Sequence, residues 1–243
     1  TGDRREFLGR NGSLRNPAAM GRTQLSNRVG AGLDACAALQ VPFELAPGDT
    51  HTVSFRLGAS GRRGNEANAM AQYLHEPDAL QSALHAVQAY WSHILGAVQV
   101  ETPDPSQDVL TNGWLLYQTI ACRLWARSGF YQSGGAYGFR DQLQDTMALV
   151  HTAPHLLRQH LLRCAERQFV EGDVQHWWHP PQGRGVRTHC SDDYLWLPQA
   201  TCRYVDATND VSVLDETMAF LEGRPVNPDT DSYYDLPTRS NES

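Results

Sequence analysis

The sequence predicts a mixed chain, β first and then all-α. Three observations carry this. Val53, Phe55 and Leu57 alternate onto one face of a strand. From Asp78 the period changes, and Leu80, Leu84, Val87, Trp91, Ile94, Leu95 and Val98 recur at helical spacing. Beyond them, further helical patterns are separated by long loops rich in Trp, His, Arg and Asp. Helices paired in a barrel would gather such loops at one end and build a site from them.

Each element follows in order. Residues 1–58 carry Gly, Pro and Asp turn signals around short stretches, with "APGDT" as a turn, and read as the end of an antiparallel β-domain. "GASGRRGNEAN" reads as a linker. The Asp78–Val98 helix comes next, until "TPDPSQD" breaks the pattern, where Pro and Asp suit a new helix start. Val109, Leu110, Trp114, Tyr117, Ile120, Leu124 and Trp125 define that helix, and the Gly-rich turn "SGFYQSGGAYGFRD" ends it. Further helices are expected over 141–151, 154–170, 192–207 and 210–222, with Pro154 at a first helical position. The polar tail "NPDTDSYYDLPTRSNES" shows no closing element, so the chain is expected to stop mid-domain.

Composition narrows the function classes. With 41% hydrophobic and 19% charged residues, the chain is globular rather than disordered. No apolar run approaches the roughly 18–20 residues of a membrane span, and "TGDRREFLGR" has no apolar core of a secretory signal. The net charge of −7 disfavours nucleic acid, which wants a basic face. All 20 basic residues are Arg. Arg offers forked donors that suit carboxylates, phosphates and sugar hydroxyls, although a coding bias explains its use more simply. Five Cys without a C-x-x-C pair argue against a disulfide framework and for a reducing, cytoplasmic setting.

Three stretches could carry chemistry. In "GAYGFRDQLQDTMALV", Asp141 and Asp145 lie four apart on one helix face, with Arg140 at the rim. The plain reading is a helix start dressed with favourable acids. The many polar groups among Gly and aromatic residues add a sugar-binding reading, since each hydroxyl both gives and takes a hydrogen bond. "EGDVQHWWHPPQGRGVRTH" sets Trp177 and Trp178 beside His176, His179, Arg184, Arg187 and His189, a mixture suited to a pyranose ring. His176, His179, His189 and Cys190 are also zinc-ligand types, but their spacing fits no strong zinc signature, and no metal is expected. His85 and His160 read as ordinary surface or core histidines. In "HCSDDYLWLP", Ser191 or Asp192 is an acceptable helix cap. Two adjacent carboxylates in a partly dry cleft raise each other's cost of ionising, which is one way to hold a protonated acid near neutral pH.

The stretches "GAGLDACAALQ", "NGWLLYQTIACRLWARSGFYQSGGAYGFRDQLQD" and "RQFVEGDVQHWWHPPQGRGVRTHCSDDYLWLP" resemble glycoside hydrolase family 94. The likeness is to its inverting phosphorylases, in particular to the phosphorylase-like domain of cyclic β-1,2-glucan synthases and to β-1,2-oligoglucan phosphorylases, and it runs over nearly the whole chain. It implies the end of a β-sandwich over 1–60, a linker-helix region over 61–103 and the first part of an (α/α)6 barrel over 104–243. It implies an Asp general acid at Asp192, with Asp193 as fallback. It implies a sugar site at Arg140 and Asp145, with Asp141 and Gln144 in the same motif, joined by Trp177, Trp178, His179, Arg187 and Thr188. Phosphate, already anionic, would attack the anomeric carbon without a general base and yield an α-sugar 1-phosphate; an inverting hydrolase would need a second carboxylate to activate water.

No cofactor is expected beyond inorganic phosphate as co-substrate. The expected partners are a β-glucan oligosaccharide, phosphate, the remainder of a parent polypeptide and a second copy in a homodimer. Nucleic acid is excluded, and a parent tethered to the inner membrane is allowed. An inverting hydrolase and a glycan-binding module without turnover stand as alternatives. Two departures from the family pattern are Ala35, where relatives often carry Pro, and Cys190, where some carry an aromatic that shapes the acceptor side. The larger departure is length, since the chain reads as a fragment without the second half of the barrel.

Overall fold

The computed structural model describes residues 1–58, 68–69, 72–73, 78–129 and 134–243. The chain divides into two compact units, Thr1–Ala59 and Ser60–Ser243. The stretch read as a linker lies outside the described residues, apart from Gly58 and Asn68.

The first unit opens with a short helix, α1 (Arg4–Leu8), because the Asp3 side chain accepts from the Arg5 N–H and caps it. Glu6 reaches across to Ser26, accepting from both its backbone N–H and its hydroxyl, and these bonds hold the carboxyl down at about 2. A single-turn helix covers Ala18–Gly21, and an isolated bridge joins Asp3 to Ala35. The strand expected at Val53, Phe55 and Leu57 does not form: residues 51–58 carry no regular secondary structure and pair with no strand among the described residues, and Leu57 is fully exposed. Alternation specifies a face, but a strand also needs a neighbour to take its backbone groups.

The second unit begins with α2 (Ala79–Leu95), which confirms the expected helix. A helical run from Pro105 to Trp125 follows in pieces: α3 (Pro105–Val109), a π-type turn over Leu110–Trp114, α4 (Leu115–Tyr117) and a second π-type stretch over Gln118–Trp125. Asp104 caps it and Pro105 starts it, as the sequence indicates. Ile94, Ile120 and Leu124 pack with Leu149 and Ala153 in one apolar cluster.

The larger core lies further along. A two-residue strand, β1 (Tyr137–Gly138), leads into α5 (Phe139–Met147) and then α6 (Pro154–Ala165), with Pro154 in the first turn as expected. A hairpin follows, β2 (Gln175–His179) and β3 (Arg184–Thr188), then α7 (Asp193–Thr208). The chain closes through β4 (Leu221–Glu222), β5 (Ser232–Asp235) and β6 (Thr238–Arg239). One antiparallel sheet runs β1-β2-β3-β5, and β4 pairs with β6. Phe139, Leu143, Leu157, Leu161, Trp178, Ala200 and Tyr204 bring α5, α6, α7 and β2 into one core.

Three expectations are corrected here. The helix expected over 210–222 is a single 3-10 turn, Val211–Asp215, followed by extended chain. Asp210 caps that turn, and Arg158 binds both Asp210 and Glu216, so the chain is drawn out toward Leu221, whose backbone pairs with Gln168 and Val170. The stretch "QHWWHPPQGRGVRT" is a hairpin rather than a loop. The polar tail supplies β5, which pairs along β3 from Gly185↔Asp235 to Thr188↔Ser232. The polar faces of β3 and β5 carry no strong alternation, so pairing, not periodicity, defines them.

The hairpin depends on Gly185. A methyl group there would sit 2.0 Å from the Trp177 carbonyl oxygen and 2.7 Å from the Gln175 side chain. Gly185→Ala is expected to destabilise the fold by about 3 kcal/mol, the upper range for overpacking. Gly21→Ala, whose added methyl meets nothing, should stay within about 0.5 kcal/mol in the same denaturant titration; equal effects would sink the account. Hydrogen bonds from Ser212, then Tyr204, hold the Asp210 carboxyl at about 2. A depressed carboxylate stabilises the fold above the ordinary carboxylate range near pH 4 and loses that contribution as pH falls toward 2. Asp210→Asn should therefore flatten the melting temperature against pH between about 4 and 2.

Candidate active site

The site forms where two helix starts meet. Helix α5 begins at Phe139 with Gly138 as its cap residue, and α7 begins at Asp193 with Asp192 before it; the two helices pack together. Arg140, in the first turn of α5, reaches Asp192 at 2.7 Å and stands 3.7 Å from Asp141. All three side chains keep 39–47% of their surface. The cluster is thus presented to solvent, as a ligand-binding fork would be.

The doublet splits at the helix start. Asp192 faces out; Asp193 turns in and is 1% exposed. Asp193 Oδ2 lies 2.6 Å from His176 Nδ1 of β2, and this bond raises the His176 pKa against the opposing effect of burial. Cys190, in the loop after β3, points its thiol at Asp192 Oδ1 at 2.9 Å. Hydrogen bonds from Cys190, then Arg140, hold the Asp192 carboxyl down at about 2, and the same bond pushes the Cys190 thiol up to about 11.

Asp192 is the residue expected as the general acid. Its donor neighbours favour the charged form of the carboxyl. The like charge of Asp193 does not decide the matter, since that group is withdrawn into the core. Asp193, the expected fallback, is 1% exposed.

The other residues of the expected sugar site separate into two groups. Asp141 and exposed Gln144 belong to the α5 surface. Asp145 lies one turn along, 2.6 Å from Arg123, and burial raises its pKa against that Arg. Trp177 is half-buried, against Tyr234 at 5.5 Å and edge-on to His179 at 5.3 Å. His179 Nε2 contacts the Gly134 carbonyl at 3.2 Å. Trp178 and Arg187, also expected at the sugar site, are drawn inward. Trp178 is a core residue at 1% exposure, and Arg187, equally enclosed, is bound by Asp173, Glu171 and the carbonyls of Gly223 and Arg224. Thr188 accepts from the Cys190 N–H and shapes the loop. His160 is a core histidine beside Cys164.

Sequence reasoning named His176 as one polar group among several, but not its bond to Asp193, which joins β2 to the start of α7. It missed two further participants. Arg123 and Asp173 carried no local signal at all, because each is defined by a partner 14–22 residues away.

An exposed Arg–carboxylate fork can bind sugar hydroxyls, and the comparisons identify the family of the chain. The chain belongs to the glycosyl hydrolase 94 superfamily: the model of its catalytic domain matches residues 90–234, and that of its supersandwich domain matches residues 1–77. The cyclic beta-(1,2)-glucan synthase NdvB of Rhizobium meliloti (strain 1021) is 42% identical over 236 residues, which is 96% of this chain and 8% of that protein. The N,N'-diacetylchitobiose phosphorylase of Vibrio furnissii is 28% identical over 250 residues, 91% of this chain and 31% of that protein. The solabiose phosphorylase of Paenibacillus borealis is 27% identical over 221 residues, 90% and 27% respectively. The chain therefore spans between 8% and 31% of the length of these relatives. Among the described residues, no helix is long and apolar enough to cross a membrane.

If Cys190 and Arg140 depress Asp192, removing either restores it. In Cys190→Ala and Arg140→Ala, carbon-13 titration of the Asp192 carboxyl should move from about 2 toward the usual value near 4. An unchanged titration in both variants would refute the electrostatic assignment.

Proposed function

We propose that this chain supplies the glucosyl-binding part of an inverting phosphorylase site acting on β-linked, specifically β-1,2-linked, glucose oligomers. Its catalytic region would be the first part of an (α/α)6 barrel. The observation that carries the reading is the Arg140–Asp192 pair, exposed at the junction of two helix starts in a chain of this superfamily. Family membership and the 42% identity to a cyclic β-1,2-glucan synthase support the choice of sugar and linkage.

In this reading Arg140 donates and Asp192 accepts, so together they orient the hydroxyls of one glucosyl unit. Asp141 adds a second acceptor on the same rim. Phosphate, an anion at neutral pH, attacks the anomeric carbon from the face opposite the leaving oxygen and gives α-glucose 1-phosphate. Asp192 is also the candidate general acid, with Asp193 as the fallback, and in its protonated form it would deliver the proton to the leaving oxygen. A hydrolase of the same class would release free glucose and need no phosphate.

The test uses the full-length protein with β-1,2-glucooligosaccharides, with and without inorganic phosphate. Phosphate-dependent α-glucose 1-phosphate is expected; free glucose formed equally without phosphate would favour the hydrolase, and saccharide binding without either product would leave a binding module. Asp192→Asn should lower kcat/KM about 10- to 100-fold, the range of a lost charge-assisted hydrogen bond. An activated aryl glucoside, which needs no protonation, should be spared; slowing of the aryl glucoside by the same factor would limit Asp192 to orienting the sugar.

A further inference from the structure

Three donors of different chemistry converge beside the sugar site. His176 comes from β2, Cys190 from the loop after β3, and Asp193 from the first turn of α7. One ligating atom from each lies within 4.8 Å of the others. Asp193 is 1% exposed; its Oδ2 meets His176, but its Oδ1 is buried with no hydrogen-bond partner. A buried carboxylate oxygen left bare is costly, and the ordinary remedies are a donor or a cation. No donor reaches it among the described residues. His176 and Cys190 keep partial exposure, so an ion can arrive without opening the core.

We propose that His176, Cys190 and Asp193 form a binding site for a Zn2+-class divalent ion. The donor set selects the metal. Sulfur with imidazole nitrogen suits zinc and its neighbours in the transition series, whereas calcium and magnesium take oxygen ligands. The bond between His176 and Asp193 opens as both turn to the ion, and the Cys190 proton leaves to solvent as its sulfur bonds. One thiolate and one carboxylate then balance the two charges of the ion. Three protein ligands leave a fourth position for solvent, the pattern of an open rather than a sealed zinc site. Cys190 also releases Asp192 when it ligates, so metal binding frees an acceptor in the neighbouring sugar fork.

The test uses the full-length protein, stripped by a chelator and titrated with Co2+ as the spectroscopic probe, then with Zn2+. A sulfur-to-cobalt charge-transfer band is expected, displaced by Zn2+. Cys190→Ser should abolish the band, and Cys202→Ser, at an exposed cysteine elsewhere, should keep it. His176→Ala should weaken Co2+ binding at least about tenfold, the smallest loss seen for groups that only orient a ligand. Circular dichroism of each variant separates lost binding from lost folding. The absence of a charge-transfer band in the folded wild type, or a band that persists in folded Cys190→Ser, would overturn the site.

Discussion

The withdrawal of Asp193 into the core governs the rest of the site. An ionisable group at 1% exposure survives there only with a partner, because desolvating a carboxylate costs several kcal/mol. The partner is His176 of β2, so α7 can begin only where the hairpin presents that ring. Once Asp193 is tied inward, Asp192 has to face out, one residue earlier on the same turn. That places it opposite Arg140, whose helix packs on α7 and starts from β1, the strand paired with β2. A single buried contact thus sets the register between both helix starts and the sheet between them.

The same arrangement explains how the two acids differ. A pair of neighbouring carboxylates suggests mutual repulsion and a raised pKa. The fold removes that effect by giving each acid its own partner in its own environment. Asp192 is surrounded by donors and lies low at about 2, while Asp193 is held by an imidazole away from solvent. The outer acid therefore stands at the exposed rim between the Arg140 guanidinium and the Cys190 thiol.

The hairpin performs two tasks that its composition blends together. Trp178 and Arg187 point inward and hold it down, Trp178 in the main core and Arg187 in a network with Asp173 and Glu171. His176 reaches Asp193, while Trp177 packs against His179 and Tyr234. In the sequence these residues form one dense run of aromatic and basic groups that all looked suited to a sugar. Strand alternation separates buried Trp178 from Trp177 and His179, since neighbours on a strand face opposite sides. Without knowing that the run was a strand, no count of residue types could have sorted it.

Local signals in the sequence were enough for the long helices. The period from Leu80 to Val98 gave α2, Asp104–Pro105 the start of the next helical run, and Pro154 the start of α6, because caps and apolar spacing act within a few residues. The motif around Arg140 and the Asp192–Asp193 doublet could also be picked out, and so could the family that owns them. The tertiary structure alone decided the rest. It left Val53–Leu57 without a strand partner, turned 211–215 into a short turn, drew the polar tail into the sheet at β5, and assigned opposite fates to two adjacent acids. Each of these outcomes depends on a partner distant in the chain: a neighbouring strand, an Arg158, a His176. Hydrogen-bond pairing and burial are properties of where residues meet, and a linear pattern records only which residues are available to meet.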